Sequence, residues 1–144
     1  MYESYTRQAL PPKEYRELLG SALCVFSSNN AFVIENILHT DNHRNWYALL
    51  DKTSGRLKDD INETISTKCG NTEICELFSE VVEMRNRIIH GFQVTHDNEQ
   101  ILATKTLKKD GNEQFIITKE YLYDFLRKNQ RLSDLLYEYR KQNH

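Results

Sequence analysis

The sequence predicts a mainly α-helical domain, a bundle of four to five helices with a β-hairpin inserted before the last helix. Three observations carry this. The chain has 144 residues, the size of one ordinary domain, which can bury a core without disulfides or a metal. Four stretches repeat apolar residues every three or four positions, the spacing that collects them on one face of a helix. Lys109-Asp110-Gly111-Asn112 stands between two β-prone runs, a strong hairpin signal. With only 5 Gly and 2 Pro, the chain lacks the turn residues of a sandwich or barrel.

The elements follow in order. Residues 1–11 form an N-terminal arm, and Pro11-Pro12 marks the start of the first helix, where Pro is tolerated. Tyr15, Leu19, Ala22, Phe26, Val33 and Ile37 make one stripe that keeps its phase across Ser27-Ser28-Asn29-Asn30, so one long helix over 13–38 is favoured over two. Trp46, Tyr47, Leu49 and Leu50 suggest a short helix or turn on the core. Leu57, Ile61 and Ile65 define an amphipathic helix that Cys69-Gly70 ends. Asn71 or Thr72 can cap the next helix, which has Glu73 and Glu76 in its first turn and runs to His90, with Gly91 as its stop. The hairpin strands are Gln100 to Leu107 and Gln114 to Thr118. Thr118 then caps a last helix marked by Tyr121, Leu122, Phe125, Leu132, Leu135, Leu136 and Tyr139. No linker or repeat divides the chain, so 1–144 is read as one domain.

Composition narrows the function. Hydrophobic residues at 39% and charged residues at 28% describe a globular chain rather than a disordered one. The net charge of −2 excludes a protein that grips nucleic acid by global charge, so any such contact must be local. No apolar run approaches a membrane span and no leader-like segment opens the chain. Cys24, Cys69 and Cys75 are odd in number and form no Cys-x-x-Cys pair, as expected of reduced thiols in a cytoplasmic protein.

The helix at 72–90 carries the most information. With Arg85 set at zero and about 100° per residue, Ile74, Leu77, Phe78, Val81, Val82, Ile88 and Ile89 all lie within roughly 80° of it. Arg85 therefore occupies the middle of the apolar face, while Glu76, Ser79, Glu83, Arg87 and His90 lie on the polar side. Asn86 and His90 sit at one border, four residues apart and adjacent. Two readings stand side by side. Arg85 can snorkel to a nearby carboxylate, or it can reach a wet cleft where an anion meets it. His90 can be a plain C-terminal cap that complements the helix dipole, or a general base or acid near neutral pH.

Arg85-Asn86-Arg87-Ile88-Ile89-His90 resembles the Arg-x4–6-His signature of HEPN domains, including the polar residue after the arginine. The spacing alone is weakly specific. Asn86 and the position at the end of a long amphipathic helix sharpen it. The likeness of architecture spans most of the chain, whereas that of sequence is confined to about 83–92. The resemblance implies a small helical bundle that dimerises through the motif helix. It also implies a metal-independent endoribonuclease without cofactor, of the kind found among toxins and phage-defence effectors, with RNA as substrate and an antitoxin or regulatory protein as partner. Other members are inactive scaffolds, so a catalytically inert module that binds a nucleotide or a protein is the alternative. One subgroup extends the signature to His-x-Tyr, whose tyrosine a partner nucleotidyltransferase modifies. Phe92 holds that position here, which speaks against that regulation. Arg85, Asn86 and His90 are the expected catalytic residues. In such chemistry the RNA 2′-hydroxyl loses a proton to His90, and the charge gathering on phosphorus meets the planar fork of Arg85.

Lys105, Lys108 and Lys109 on the hairpin and Arg127 on the last helix, with Lys128 and Arg131 beside it, are candidates to guide RNA phosphates. Solvated surface charge is the plainer reading for any one of them. His39 and His43, four apart, lack a third ligand at metal spacing, and no metal site is expected. A helical interaction domain in which Arg85 is only a structural ion pair completes the alternatives.

Overall fold

The computed structural model of the chain describes residues 1–143. Its helices are α1 (Lys13–Thr40), α2 (Trp46–Asp51), α3 (Leu57–Ile61), α4 (Thr67–Cys69), α5 (Glu73–Ile89) and α6 (Lys119–Gln142). Strands β1 (Phe92–His96), β2 (Glu99–Lys105) and β3 (Gln114–Ile116) lie between α5 and α6. The mainly helical reading with a hairpin before the last helix is what the fold displays.

α1 and α6 form the long pair of the bundle, and α5 packs against both. Ala22, Phe26, Val33, Ile34 and Ile37 of α1 meet Phe78, Val81 and Val82 of α5 and Leu122, Phe125, Leu132 and Leu136 of α6 in one core. At its centre Phe26 stacks with Phe78 and Phe125, with ring centroids 6.5 and 6.2 Å apart. α1 is a single helix, as favoured. Its weak helix formers keep it intact because they find tertiary partners instead of competing for local backbone. Asn29 donates to the side chain and carbonyl of Asn129 in α6, and Asn30 accepts from the Ser54 hydroxyl.

One amendment concerns α1. It is long and apolar enough to cross a membrane by length and composition, although no run of that kind was expected. Its inner face is the core of the bundle, which is the ordinary reason for such a helix. Its outer face exposes Gly20, Ser21, Cys24, Val25, Ser27 and Ser28, and no charged residue occurs between Glu17 and Glu35.

The helix expected from Leu57 to Gly70 is one continuous rod whose middle, Asn62–Ser66, widens into a π turn between α3 and α4. Gly70, at φ 77°, ends it in the left-handed conformation that glycine adopts freely. Thr118 caps α6, its hydroxyl accepting from the Tyr121 N–H at 3.0 Å.

The sheet differs from the expected hairpin in two ways. It has three antiparallel strands in the order β1-β2-β3, because Phe92–His96, to which no element is assigned from the sequence, pairs along β2 from Phe92↔Ala103 to His96↔Glu99. The tight turn is Asp97-Asn98, both left-handed at φ 51° and 65°, the requirement of a two-residue hairpin. Asp110-Gly111 instead ends a short 3-10 turn, Lys108–Asp110, inside the longer loop that joins β2 to β3. Gly111 and Asn112 supply the positive φ there.

Tyr15 fastens the sheet to α1. Its buried hydroxyl donates to the Ile117 carbonyl at 2.7 Å and accepts from the Leu102 N–H at 3.3 Å.

Candidate active site at the end of the fifth helix

α5 folds as its periodicity demands, with Ile74, Cys75, Phe78, Val81, Val82 and Ile88 buried. This stripe is spent on the chain's own core. What α5 still offers outward near its end is Ile89, 47% exposed, together with His90.

Arg85 lies in the middle of that stripe, with buried residues on either side of it, and is half-buried. Its guanidinium sits over the Phe26 ring, 4.9 Å from the centroid, a cation–π contact with the face of an aromatic. Its Nε is buried without a hydrogen-bond partner. Burial without a compensating anion pulls its pKa below the ordinary arginine value. Among the described residues no carboxylate neutralises it, so the snorkelling ion pair is not formed.

Arg87, two residues on, has a carboxylate beside it and a carbonyl to donate to, although its buried Nε, like that of Arg85, makes no hydrogen bond. It pairs with Glu83 at 3.0 Å and donates to the Lys105 carbonyl at 2.8 Å, tying the end of α5 to the end of β2. Tyr121 rests behind this tie, its hydroxyl 3.4 Å from the Met84 carbonyl. Burial first, and then the charge of Glu83, push its pKa up to about 12. Arg87 is thus part of the frame, and Arg85 is the cation left over.

His90 is the C-terminal cap residue of α5 and is exposed. Its N–H donates to the Asn86 carbonyl at 3.0 Å, so Asn86 and His90 occupy adjoining turns, with Asn86 half-buried. Five residues separate Arg85 from His90, or about 140° around the axis and about 7.5 Å along it. The two groups therefore leave the same helix toward different sides.

Gly91 fixes where His90 ends up. It lies just past the end of the helix, as the sequence predicts, without being among the glycines with positive φ. It is needed for space: a Cβ there would come within 3.0 Å of the Ile88 carbonyl oxygen and 3.1 Å of that of Ala103. The chain passes from α5 into β1 through this gap with nothing to spare.

The predicted phosphate-guiding residues separate into two groups. Lys105 closes β2 beside the Arg87 tie, and its ammonium donates to Asn112 Oδ1 at 2.6 Å and to the Thr106 carbonyl at 3.2 Å. Lys108 and Lys109 are exposed on the following loop. Arg127 stands apart. It lines a shallow groove on the outer face of α6 with Gln130, Arg131, Asp134 and Glu138, level with the first half of α5. Its neighbours are ion-paired across that face, Lys128 with Glu80 at 2.8 Å and Arg131 with Glu73 at 2.5 Å. These pairings fit the solvated-surface reading of that group.

His39 Nε2 contacts the Asn143 carbonyl at 2.5 Å, while His43 lies in the loop after α1. Among the described residues no three His, Cys, Asp or Glu side chains gather as metal ligands. Cys24 and Cys69 are exposed free thiols and Cys75 is buried.

Two features escaped sequence reasoning. Arg44 is held by Asp41, Asp60 and Glu63 at 3.0, 2.6 and 2.8 Å, a cluster assembled from three separate turns. Phe92, noted only as a missing tyrosine, is 45% exposed two residues beyond His90. Its exposure depends on β1, which was not foreseen. No family model, characterised protein or solved structure matches this chain.

Proposed function

We propose that this chain is a HEPN-type endoribonuclease that cleaves RNA as a two-fold dimer without a metal, in the cytoplasm, as a toxin or phage-defence effector. The observation that carries the reading is Arg85: a guanidinium half-buried on Phe26, with an orphaned Nε and no carboxylate, on the helix that ends in exposed His90. Such a group costs stability unless an anion completes it, and a phosphodiester is an anion that its planar fork fits.

The reaction then runs as follows. His90 accepts the proton of the RNA 2′-hydroxyl, and the 2′-oxygen attacks the adjacent phosphorus. Arg85 holds the charge that gathers on the non-bridging oxygens. The P–O5′ bond breaks, the leaving oxygen takes a proton, and the products are a 2′,3′-cyclic phosphate and a 5′-hydroxyl. Asn86 orients His90 or hydrogen-bonds the phosphate.

Because Arg85 and His90 leave α5 toward different sides, one chain presents them poorly to one phosphate. A second copy supplies the other half of a shared cleft and a second imidazole for the leaving oxygen. The uncharged outer face of α1 and the exposed Ile89 are surface suited to such a contact. The exposed thiols of Cys24 and Cys69 suit a reducing compartment.

A second reading is an inert HEPN-like module that binds a nucleotide or a protein. The net charge of −2 and the same uncharged face of α1 favour it. Incubating the purified protein with RNA and determining the product ends decides between them. The nuclease reading expects cyclic-phosphate ends from wild type and none from folded His90→Ala. Intact RNA with wild type leaves the binding module.

A further inference from the structure

We propose that Phe92 is a stacking platform for an unpaired nucleobase beside the scissile phosphate, so that the substrate is single-stranded RNA. The inference deepens the ribonuclease reading and rests on it for the position of the phosphate.

Phe92 is the first residue of β1, joined to His90 only through Gly91, whose tight passage between two carbonyls holds the helix end and the strand start in fixed relation. An aromatic ring 45% exposed at the start of a strand is surface that the fold itself does not use. The pairing Phe92↔Ala103 puts Lys105, two residues further along β2, on the same face of the sheet as Phe92. Such diagonal neighbours stand about 7–8 Å apart, close to the distance from a base to its own backbone phosphate. Lys105 is hydrogen-bonded by neutral acceptors, Asn112 and the Thr106 carbonyl, and among the described residues no carboxylate cancels its charge. The segments Gly91–His96 and Gln100–Lys105 contain no acidic residue at all. An aromatic face, an ammonium with no carboxylate partner and an exposed imidazole therefore stand at neighbouring positions of β1, β2 and the end of α5, and the acid nearest them on α5, Glu83, is paired with Arg87.

This combination suits a splayed base with its phosphate. Aromatic platforms accept any base by its π-face and select for unpaired strands, whereas the bases of a duplex are already stacked. The protein's overall acidity also disfavours binding through backbone charge alone. A local contact that draws on stacking is the form of RNA binding its composition permits.

The test uses full-length protein carrying His90→Ala, so that RNA stays intact, and compares Phe92→Ala and Phe92→Trp on that background. Circular dichroism checks folding and light scattering checks oligomeric state. The expected result is that Phe92→Ala weakens binding of a labelled uridine-rich single strand on the order of tenfold and leaves weak duplex binding unchanged. Phe92→Trp should restore binding, and its fluorescence should be quenched by the single strand but not by polyphosphate. Equal single-strand binding by Phe92→Ala, no binding by the parent, or a loss of binding in step with a loss of dimer overturns the proposal. The last outcome makes Phe92 a contact between copies. Failure of the nuclease reading looks different: wild type leaves RNA whole while the Phe92-dependent binding and quenching persist.

Discussion

Arg44 and Arg85 are both partly withdrawn from water, and the molecule treats them in opposite ways. Arg44 reaches three carboxylates, and its pKa is raised by hydrogen bonds to Glu63 and Asp41. One of its partners, Asp60, has a side chain only 7% exposed and is also paired with Lys52 at 2.7 Å. This cluster pins the loop after α1 to α3. Arg85 has an aromatic face and no carboxylate, and burial lowers its pKa. An arginine whose charge is cancelled inside the chain serves the fold. One left uncancelled on a helix fixed by core contacts is poised for a charge from outside. Arg87, paired with Glu83 and tied to β2, belongs with Arg44 although it is Arg85's neighbour in sequence.

The sharpest way to break this contrast is to remove each arginine and the imidazole. His90→Ala should lower cleavage on the order of a hundred- to ten-thousand-fold, the usual contribution of a general acid or base. Arg85→Ala should lower it on the order of a hundred- to a thousand-fold. Neither should lower the Tm, and Arg85→Met should match or exceed wild type, because a half-buried unpaired charge is being replaced by an apolar chain. Arg44→Ala should behave inversely. It should cost roughly 1–3 kcal/mol, since Asp60 loses one of two cationic partners, and the remaining folded protein should cleave at the wild-type rate. Denaturant titrations and initial rates on the same preparations measure both sides. An Arg85→Ala variant that is strongly destabilised yet active would place Arg85 beside Arg44 as a fold arginine.

A second pair of substitutions separates the inward and outward sides of α5. Val82→Asp puts a charge into the core, where Val82 is 4% exposed, and should unfold the monomer by several kcal/mol. It therefore cannot report on a dimer. Ile89→Asp faces outward and should keep the helical circular dichroism while halving the mass seen by light scattering and stopping cleavage. A wild type that is monomeric at tens of micromolar, yet cleaves RNA, defeats the shared-cleft mechanism. Gly91→Ala should have a smaller effect on stability, roughly 1–3 kcal/mol of crowding, with cleavage lowered beyond what the lost stability explains because His90 shifts with the helix end.

The same contrast explains what the sequence revealed. The position of Arg85 on the inner face of α5 was legible because 3.6-residue periodicity is a local property, and so were the long α1, the Gly70 stop and the Thr118 cap. That Arg85 lacks a carboxylate, while Arg44 has three, was not legible. Asp60 and Glu63 lie 16 and 19 residues from Arg44, and only the packed fold decides which charges meet. β1 was missed although Phe92-Gln93-Val94-Thr95 alternates apolar and polar residues, because the stronger turn signal at Asp110-Gly111 drew the hairpin downstream. Asp97-Asn98 closes the actual tight turn without a glycine. With β1 went the Phe92–Lys105 neighbourhood, since strand register is what creates it.

The smallest expected effect is none. Excess chelator should leave the cleavage rate and the cyclic-phosphate ends unchanged. The ground is the chemistry of the groups present: a proton acceptor at His90 and a fixed cation at Arg85 supply the two functions that a metal-bound hydroxide and its Lewis acid would otherwise share. Among the described residues, moreover, no set of His, Cys, Asp and Glu side chains gathers as ligands near either of them. The nearest acid on α5, Glu83, is committed to Arg87. A rate that falls with EDTA and returns with magnesium would mean that an anion-binding arginine is the wrong description of Arg85, and its contrast with Arg44 would then need an origin other than catalysis.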